Sequence, residues 1–220
     1  MTRLICKVWV GIVIYFFTYR YTDVSSKNHD RRCQMADSNI TKKALAAALK
    51  DLMTKMPFSK ISVGDICELC QMNRKSFYYH FKDKEDLVNW IFDTEFIEVA
   101  KDIPHDSNWD GVKLLIHYFY ENRAFYKKAL KVEGQNSFSE HLGDICYPLL
   151  SERLQVIMKT NEVSEFQVGF FADGIICGIK RWLTASECLP PEVFMEQIQS
   201  CIHMAARQIC SELDAAEEKQ

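Results

Sequence analysis

The side chains best suited to chemistry on a partner are packed into one short stretch, Arg74-Lys75-Ser76-Phe77-Tyr78-Tyr79-His80-Phe81. Phe77 and Phe81 are four residues apart and share one side of a helix, which leaves Arg74, Lys75, Ser76, Tyr78, Tyr79 and His80 on the remaining circumference. Phosphate-pairing cations, hydroxyls and flat aromatic rings within two turns are what a helix needs to sit in a DNA major groove. A cationic, aromatic helix can equally be a solvated face above two core phenylalanines, and in isolation that is the commoner case. The flanking elements therefore have to decide.

Behind Ser62, a helix N-cap residue by type, Val63, Ile66, Leu69 and Cys70 recur at helical spacing and predict a short amphipathic helix over residues 62–70. Gln71-Met72-Asn73 breaks the period, and Asn73 can cap the second helix. Upstream, Thr41 to Met56 carries Leu45, Leu49, Leu52 and Met53 along one stripe and is closed by Pro57, supplying a third helix for a small core. Downstream, Asp83 caps a further helix with Leu87, Ile91 and Phe92 turned inward. Charge is segregated in the same way. Residues 35–84 hold nine Lys or Arg against five Asp or Glu, a net of +4, whereas residues 85–220 hold twelve against twenty-three, a net of −11. A basic module on an acidic body is an electrostatic nucleic-acid footprint that the whole-chain charge of −3 conceals.

The run Ser62 to Lys84, SVGDICELCQMNRKSFYYHFKDK, resembles the helix-turn-helix of the TetR family of transcriptional regulators, whose signature closes on an aromatic cluster like Phe77-Tyr78-Tyr79-His80-Phe81. The resemblance implies an all-α fold: an N-terminal three-helix helix-turn-helix DNA-binding domain over residues 35–84, then a larger helical regulatory and dimerisation domain over residues 85–220. It makes Arg74 and Ser76 candidates for base-edge contact, with Lys75 beside them, and Tyr78, Tyr79 and His80 candidates for mixed backbone and base contact. Lys84 matches a backbone-contacting lysine at the start of the next helix, and Lys43 and Ser62 are further phosphate candidates. One departure stands out. Family members usually carry Ala-Gly in the turn, and here Cys70-Gln71 replaces it; glutamine does not readily take positive φ, so an altered turn is expected.

In the C-terminal half, YFYENRAFYKKAL, GQNSF and IKRWL resemble the branch of that family containing the regulators of dihydroxyacetone kinase operons. The period over Trp109, Leu114, Leu115, Tyr118, Phe119 and Asn122, with Phe125 and Tyr126 behind, predicts one helical stretch ending at Gly134-Gln135-Asn136-Ser137. A helix from Ser139 to about Lys159 brings Leu142, Ile145, Leu149 and Leu150 inward and contains Pro148. Residues 164–186 are apolar over most of their circumference, so that helix should be covered on more than one side. Gly174 and Gly178 within it each weaken an isolated helix by about 1 kcal/mol relative to alanine, which suggests close approach by another helix. Pro190-Pro191 opens a last amphipathic helix with Phe194, Ile198, Cys201, Ile202, Ala205 and Ile209 in register. By resemblance, these last two helices pair with those of a second copy as a four-helix bundle. Phe170, Gly174, Cys177, Gly178, Arg181, Ile198 and Ile202 are the residues expected there.

A homodimer would set two recognition helices roughly 34 Å apart, one DNA turn, and read a near-palindromic operator. Tyr118, Phe119, Tyr126, Tyr147, Phe166 and Phe170 are candidates to line a pocket for an unknown small-molecule or protein effector, although aromatics at helical spacing are more often core. His117 reads as a surface or core residue rather than a ligand.

Residues 1–34 fit neither module. Val8 to Tyr19 is apolar apart from one threonine and is flanked by Arg3, Lys7 and Arg20, but twelve residues fall short of the roughly 20 that span a bilayer. No small-x-small cleavage site follows. The expectation is that these residues lie upstream of the true start, that the functional chain begins at Met35, and that no membrane is a partner. Nine cysteines without regular spacing argue for a reducing cytoplasm rather than a disulfide framework. Cys67 and Cys70 form a C-x-x-C, but no second pair or spaced histidines follow, so neither metal nor cofactor is expected. No glycine-rich phosphate loop, G-x-S-x-G, H-E-x-x-H or isolated carboxylate pair is present, which argues against an enzyme. The competing class is a helical protein-binding adaptor, and salt dependence separates the two.

Overall fold

The computed structural model describes residues 32–100, 110–158 and 163–201 together with Met204, and among these there are helices and no strands. The helices are α1 (Arg32–Lys55), α2 (Val63–Leu69), α3 (Arg74–His80), α4 (Lys84–Ala100), α5 (Asp110–Glu121), α6 (Arg123–Ala129), α7 (Phe138–Met158), α8 (Glu165–Thr184) and a last helix, α9, over 191–201. A 3-10 turn, Phe58–Lys60, joins α1 to α2. The leader reading lies outside the described residues except for 32–34, which belong to α1. None of the described helices is long and apolar enough to cross a membrane.

The N-terminal core forms where the apolar spacing predicts. Leu45, Leu49, Leu52 and Met53 of α1 are buried together with Ile66, Phe77, Phe81, Leu87, Ile91 and Phe92. Two expectations need correction. The first helix starts at Arg32, not Thr41. Leu69 is exposed, because Cys67 instead of Leu69 completes the buried side of α2 with Ile66.

The C-terminal half packs around an aromatic cluster. Phe92 and Phe96 stack with centroids 5.4 Å apart, Phe92 stacks on Phe119 at 5.6 Å, and Tyr126 and Phe138 close the group at 4.9 Å. The stretch from Asp110 to Tyr126, expected as one helix, is two. Asn122 lies between them, its own side chain donating to the Tyr118 carbonyl as α5 ends. Helix α7 runs through Pro148 and places Leu142, Ile145 and Leu150 inside.

Long cationic side chains reach back to close helix ends, where carbonyls lack partners. Lys128 of α6 donates to the Met53 and Met56 carbonyls at the end of α1, and Arg123 donates to the Leu183 and Ala185 carbonyls at the end of α8. His117 is half-buried, 3.4 Å from Glu192, and so links α5 to α9.

Candidate DNA-binding surface

The two motif helices are short, and local capping fixes both. Ser62 begins α2 with a full capping box: its hydroxyl accepts from the Asp65 N–H at 3.2 Å, and its own N–H donates to the Asp65 carboxylate at 2.8 Å. The other end of α2 closes as a Schellman motif, in which the Gln71 N–H donates to the Glu68 carbonyl and the Met72 N–H to the Cys67 carbonyl. That closure needs a left-handed residue, and Gln71 supplies it with φ of 55°. The expected change of turn is thus corrected: the glutamine takes the conformation that glycine usually holds. Asn73 caps α3, its side chain accepting from the Ser76 N–H at 2.8 Å.

This framing sorts the side chains of α3. Phe77 and Phe81 are buried, with rings 5.7 Å apart, while Arg74, Lys75, Tyr78 and Tyr79 are exposed and Ser76 and His80 are half-buried. Tyr79 is 83% exposed and lies edge-on to His80 at 4.9 Å. Burial and then the charge of Lys42 lower the His80 pKa below its ordinary value, which favours the neutral ring. Lys42 was not among the residues singled out from the sequence. Three residues before buried Leu45, it turns inward, with its ammonium 5.8 Å from the rings of both Phe81 and Trp90. The spacing to Leu45 is the signal that would have found it. Lys43, the residue singled out, is exposed on α1.

Lys84 has an internal task as well. Its ammonium donates to the Phe58 carbonyl at 2.9 Å and the Ile61 carbonyl at 2.7 Å, and lies 4.6 Å from the Phe58 ring centroid. Of its three N–H donors, one is left for a phosphate. Asp83 caps α4 by accepting from the Asp86 N–H at 2.7 Å. The C-x-x-C thiols are packing groups: Cys67 is buried, Cys70 donates to the Ile66 carbonyl at 3.2 Å, and burial raises both thiol pKa values.

On α8, Val168, Ala172, Ile179, Trp182 and Leu183 are buried, whereas Phe170, Gly174, Cys177 and Arg181 are exposed along another face, joined by Phe166 and half-buried Gly178. Phe166 is 79% exposed and Phe170 66%. A Cβ added at Gly174 or Gly178 would meet no atom within 4 Å, so among the described residues no helix approaches either glycine. Ile198 is half-buried against the core, and Ile202 lies outside the described residues.

The six aromatics expected at a pocket are dispersed over different surroundings. Tyr118, Phe119 and Tyr126 fill the aromatic core, Tyr147 donates to the Glu165 carbonyl between α7 and α8, and Phe166 points to solvent with Phe170. Two clefts among the described residues have other linings. One of about 500 Å³ between α4 and α7 is lined by Asp86, Asn89, Trp90, Asp93, Gln135, Asn136, Glu140, His141 and Asp144. Another of about 290 Å³ lies beside the end of α1 and is lined by Lys55, Phe58, Lys128 and Lys131 among others.

A three-helix module with a capped recognition helix, carried on a larger helical body, defines a helix-turn-helix transcriptional regulator. Comparison with known proteins makes the class specific. Residues 44–91 match the model of bacterial regulatory proteins of the tetR family, and residues 107–204 match that of a transcriptional regulator C-terminal region. The chain is 37% identical over 155 residues, 70% of its length and 79% of the relative's, to the HTH-type dhaKLM operon transcriptional activator DhaS of Lactococcus lactis subsp. lactis (strain IL1403). It is similar to the solved structure of a dihydroxyacetone kinase operon activator DhaS, with a TM-score of 0.52, 27% identity and coverage of 77% of this chain and 97% of that one. A TetR regulator from Streptococcus agalactiae 2603V shares the fold, with a TM-score of 0.56, 21% identity and coverage of 79% and 99%. The chain belongs to the TetR family of transcriptional regulators.

Proposed function

We propose that the protein binds double-stranded DNA as a homodimer, each copy placing α3 in a major groove of a near-palindromic operator. The observation that carries this reading is the pair Tyr78 and Tyr79, large aromatics held 59% and 83% exposed on a helix whose other side is anchored by Phe77 and Phe81. These rings meet Phe77 and His80 of their own helix edge-on, and the large surface they leave open beside Arg74 and Lys75 matches the groups that contact bases and backbone. Arg74, Ser76, Tyr78, Tyr79 and His80 read or brace the bases; Lys43, Ser62, Lys75 and the remaining donor of Lys84 meet phosphates.

Dimerisation is supported by α8. Among the described residues, Phe166, Phe170 and the open glycines leave an apolar face uncovered within one copy, and such a face is stabilised by burial against another. Control by a small-molecule or protein effector follows the family pattern, and a reducing cytoplasm is the compartment in which DNA and free thiols coexist. Since the two DhaS relatives are described as activators of dihydroxyacetone kinase operons, the promoter of such an operon is the first DNA to test.

The deciding experiment is selection of bound fragments from genomic DNA by the purified chain, followed by salt titration on the recovered site and a scrambled control. A DNA-reading dimer prefers the recovered site and loses affinity steeply with salt. No preference, with affinity indifferent to salt, would transfer the chain to the adaptor class.

A further inference from the structure

Gly64 is an unfavourable residue where it stands. It is the second residue of α2, where glycine costs backbone entropy and alanine would favour the helix. The space left by its missing Cβ is occupied by Arg74. A Cβ built on Gly64 would lie 2.5 Å from Nη2 of Arg74 and 3.3 Å from both Cζ and Nε, and these are the nearest atoms to it. The guanidinium therefore lies against the first turn of α2 although its backbone opens α3.

Among the described residues this guanidinium makes no hydrogen bond or ion pair. Asp65, next to Gly64, has its carboxyl held below the usual range chiefly by hydrogen bonds from Ser62 and more weakly by the charge of Arg74. Arg74 thus has its head group located by packing while its donors remain unspent. A located fork loses less freedom when it engages a base edge than a free one does.

We infer that Gly64 is a positioning residue for DNA reading: without a Cβ it seats the Arg74 guanidinium at the junction of the two motif helices and so selects the base step that Arg74 contacts. The inference rests on α3 being the DNA-contacting helix. A methyl group at residue 64 displaces the flexible end of a side chain and leaves the backbone in place. The reading group moves while the fold stays.

The test compares wild type, Gly64→Ala, Arg74→Ala and the double variant on the operator recovered by selection and on scrambled DNA, with base preferences re-selected for each and thermal melts run alongside. Gly64→Ala should melt at or above wild type and lose about five- to tenfold of its preference for the operator, toward the low end of what one lost base-reading fork removes. The changed preference should fall at the same base position that Arg74→Ala relaxes, and the double variant should be no worse than Arg74→Ala alone. In an Arg74→Lys background, where no planar fork needs the seat, adding Gly64→Ala should leave base preference unchanged. Wild-type base preferences in Gly64→Ala, losses that add in the double variant, or a further change in the lysine background would overturn the inference. A wild type with no operator preference fails earlier and removes the DNA reading itself.

Discussion

Replacing Lys84 with alanine separates its structural task from its phosphate task. Its ammonium makes hydrogen bonds of 2.9 and 2.7 Å to the Phe58 and Ile61 carbonyls and lies 4.6 Å from the Phe58 ring, tying the start of α4 to the turn between α1 and α2. Hydrogen bonds involving a charged partner are worth about 1.5 to 3 kcal/mol each, and the ring adds about 0.5 to 1 kcal/mol at a part-exposed site. The lysine is half-buried, so water replaces some of what is lost, and we set the cost at about 2 to 3 kcal/mol. That is a large share of a domain stability of about 5 to 15 kcal/mol. With one donor left for a phosphate in each copy of the proposed homodimer, the plot of log affinity against log salt should flatten by about two units. Lys75→Ala is the control: exposed on α3, it should likewise flatten the plot by about two units, one for each copy, and leave unfolding unchanged. The assays are urea unfolding at one fixed protein concentration, since dimerisation makes stability concentration-dependent, and salt titration on the selected operator. Unfolding of Lys84→Ala within about 0.5 kcal/mol of wild type, the range of an ordinary surface change, would refute the structural role.

Three further outcomes follow from single contacts. Gly174→Leu or Gly178→Leu meets open space in one copy, so the fold should persist while dimerisation and operator binding weaken; light scattering that still gives a wild-type dimer would remove these glycines from the interface. Gln71→Gly should raise stability by about 0.5 kcal/mol, because removing a left-handed glutamine at φ 55° outweighs the added freedom of the unfolded chain; a lower melting temperature would contradict the turn geometry. Burial, above all, raises the pKa of Tyr118 and of Tyr126, whose hydroxyls lie 2.7 Å apart. Their stabilisation is full below the ordinary tyrosine value near 10 and is lost as pH rises beyond it, when only the unfolded chain releases the protons. Alkaline unfolding should become less steep in Tyr126→Phe, and an unchanged pH profile would refute the assignment.

The motif was legible because its information is local. Ser62 to Asp65, Asn73 to Ser76 and Asp83 to Asp86 are each three residues apart, and Phe77 and Phe81 share a face by helical geometry alone. Where periodicity misled, tertiary packing had won. Leu69 and Cys67 compete for the inner side of a seven-residue helix, and the pattern could not say that the smaller side chain is the one buried. Tyr118 and Tyr126 carry hydroxyls suited to a ligand, yet those hydroxyls bond to each other inside the core. The Gln71 expectation misjudged a balance: two closing hydrogen bonds and the burial around Met72 outweigh a left-handed glutamine.

What composition counts as one pool of basic charge, the fold divides. Lys50 holds Glu95 at 2.5 and 2.6 Å, Lys84 holds two carbonyls, Lys55 pairs with Asp51 at 2.7 Å, and Lys42 lies over the Phe81 and Trp90 rings, so at least four of the nine cations in residues 35–84 are engaged within the chain. Sequence reports only their sign, because Lys50 and Glu95 are 45 residues apart. The engagement also carries meaning for control. Glu95 accepts from Lys50 of α1 and, at 3.1 Å, from the Tyr118 hydroxyl, which in turn meets Tyr126. Lys128 of the C-terminal half closes the end of α1. The first helix of the DNA-reading module is therefore bonded to the C-terminal half at two places, and the aromatic core beneath those bonds is filled. A signal that repositions α3 has to act through bonded elements that move together.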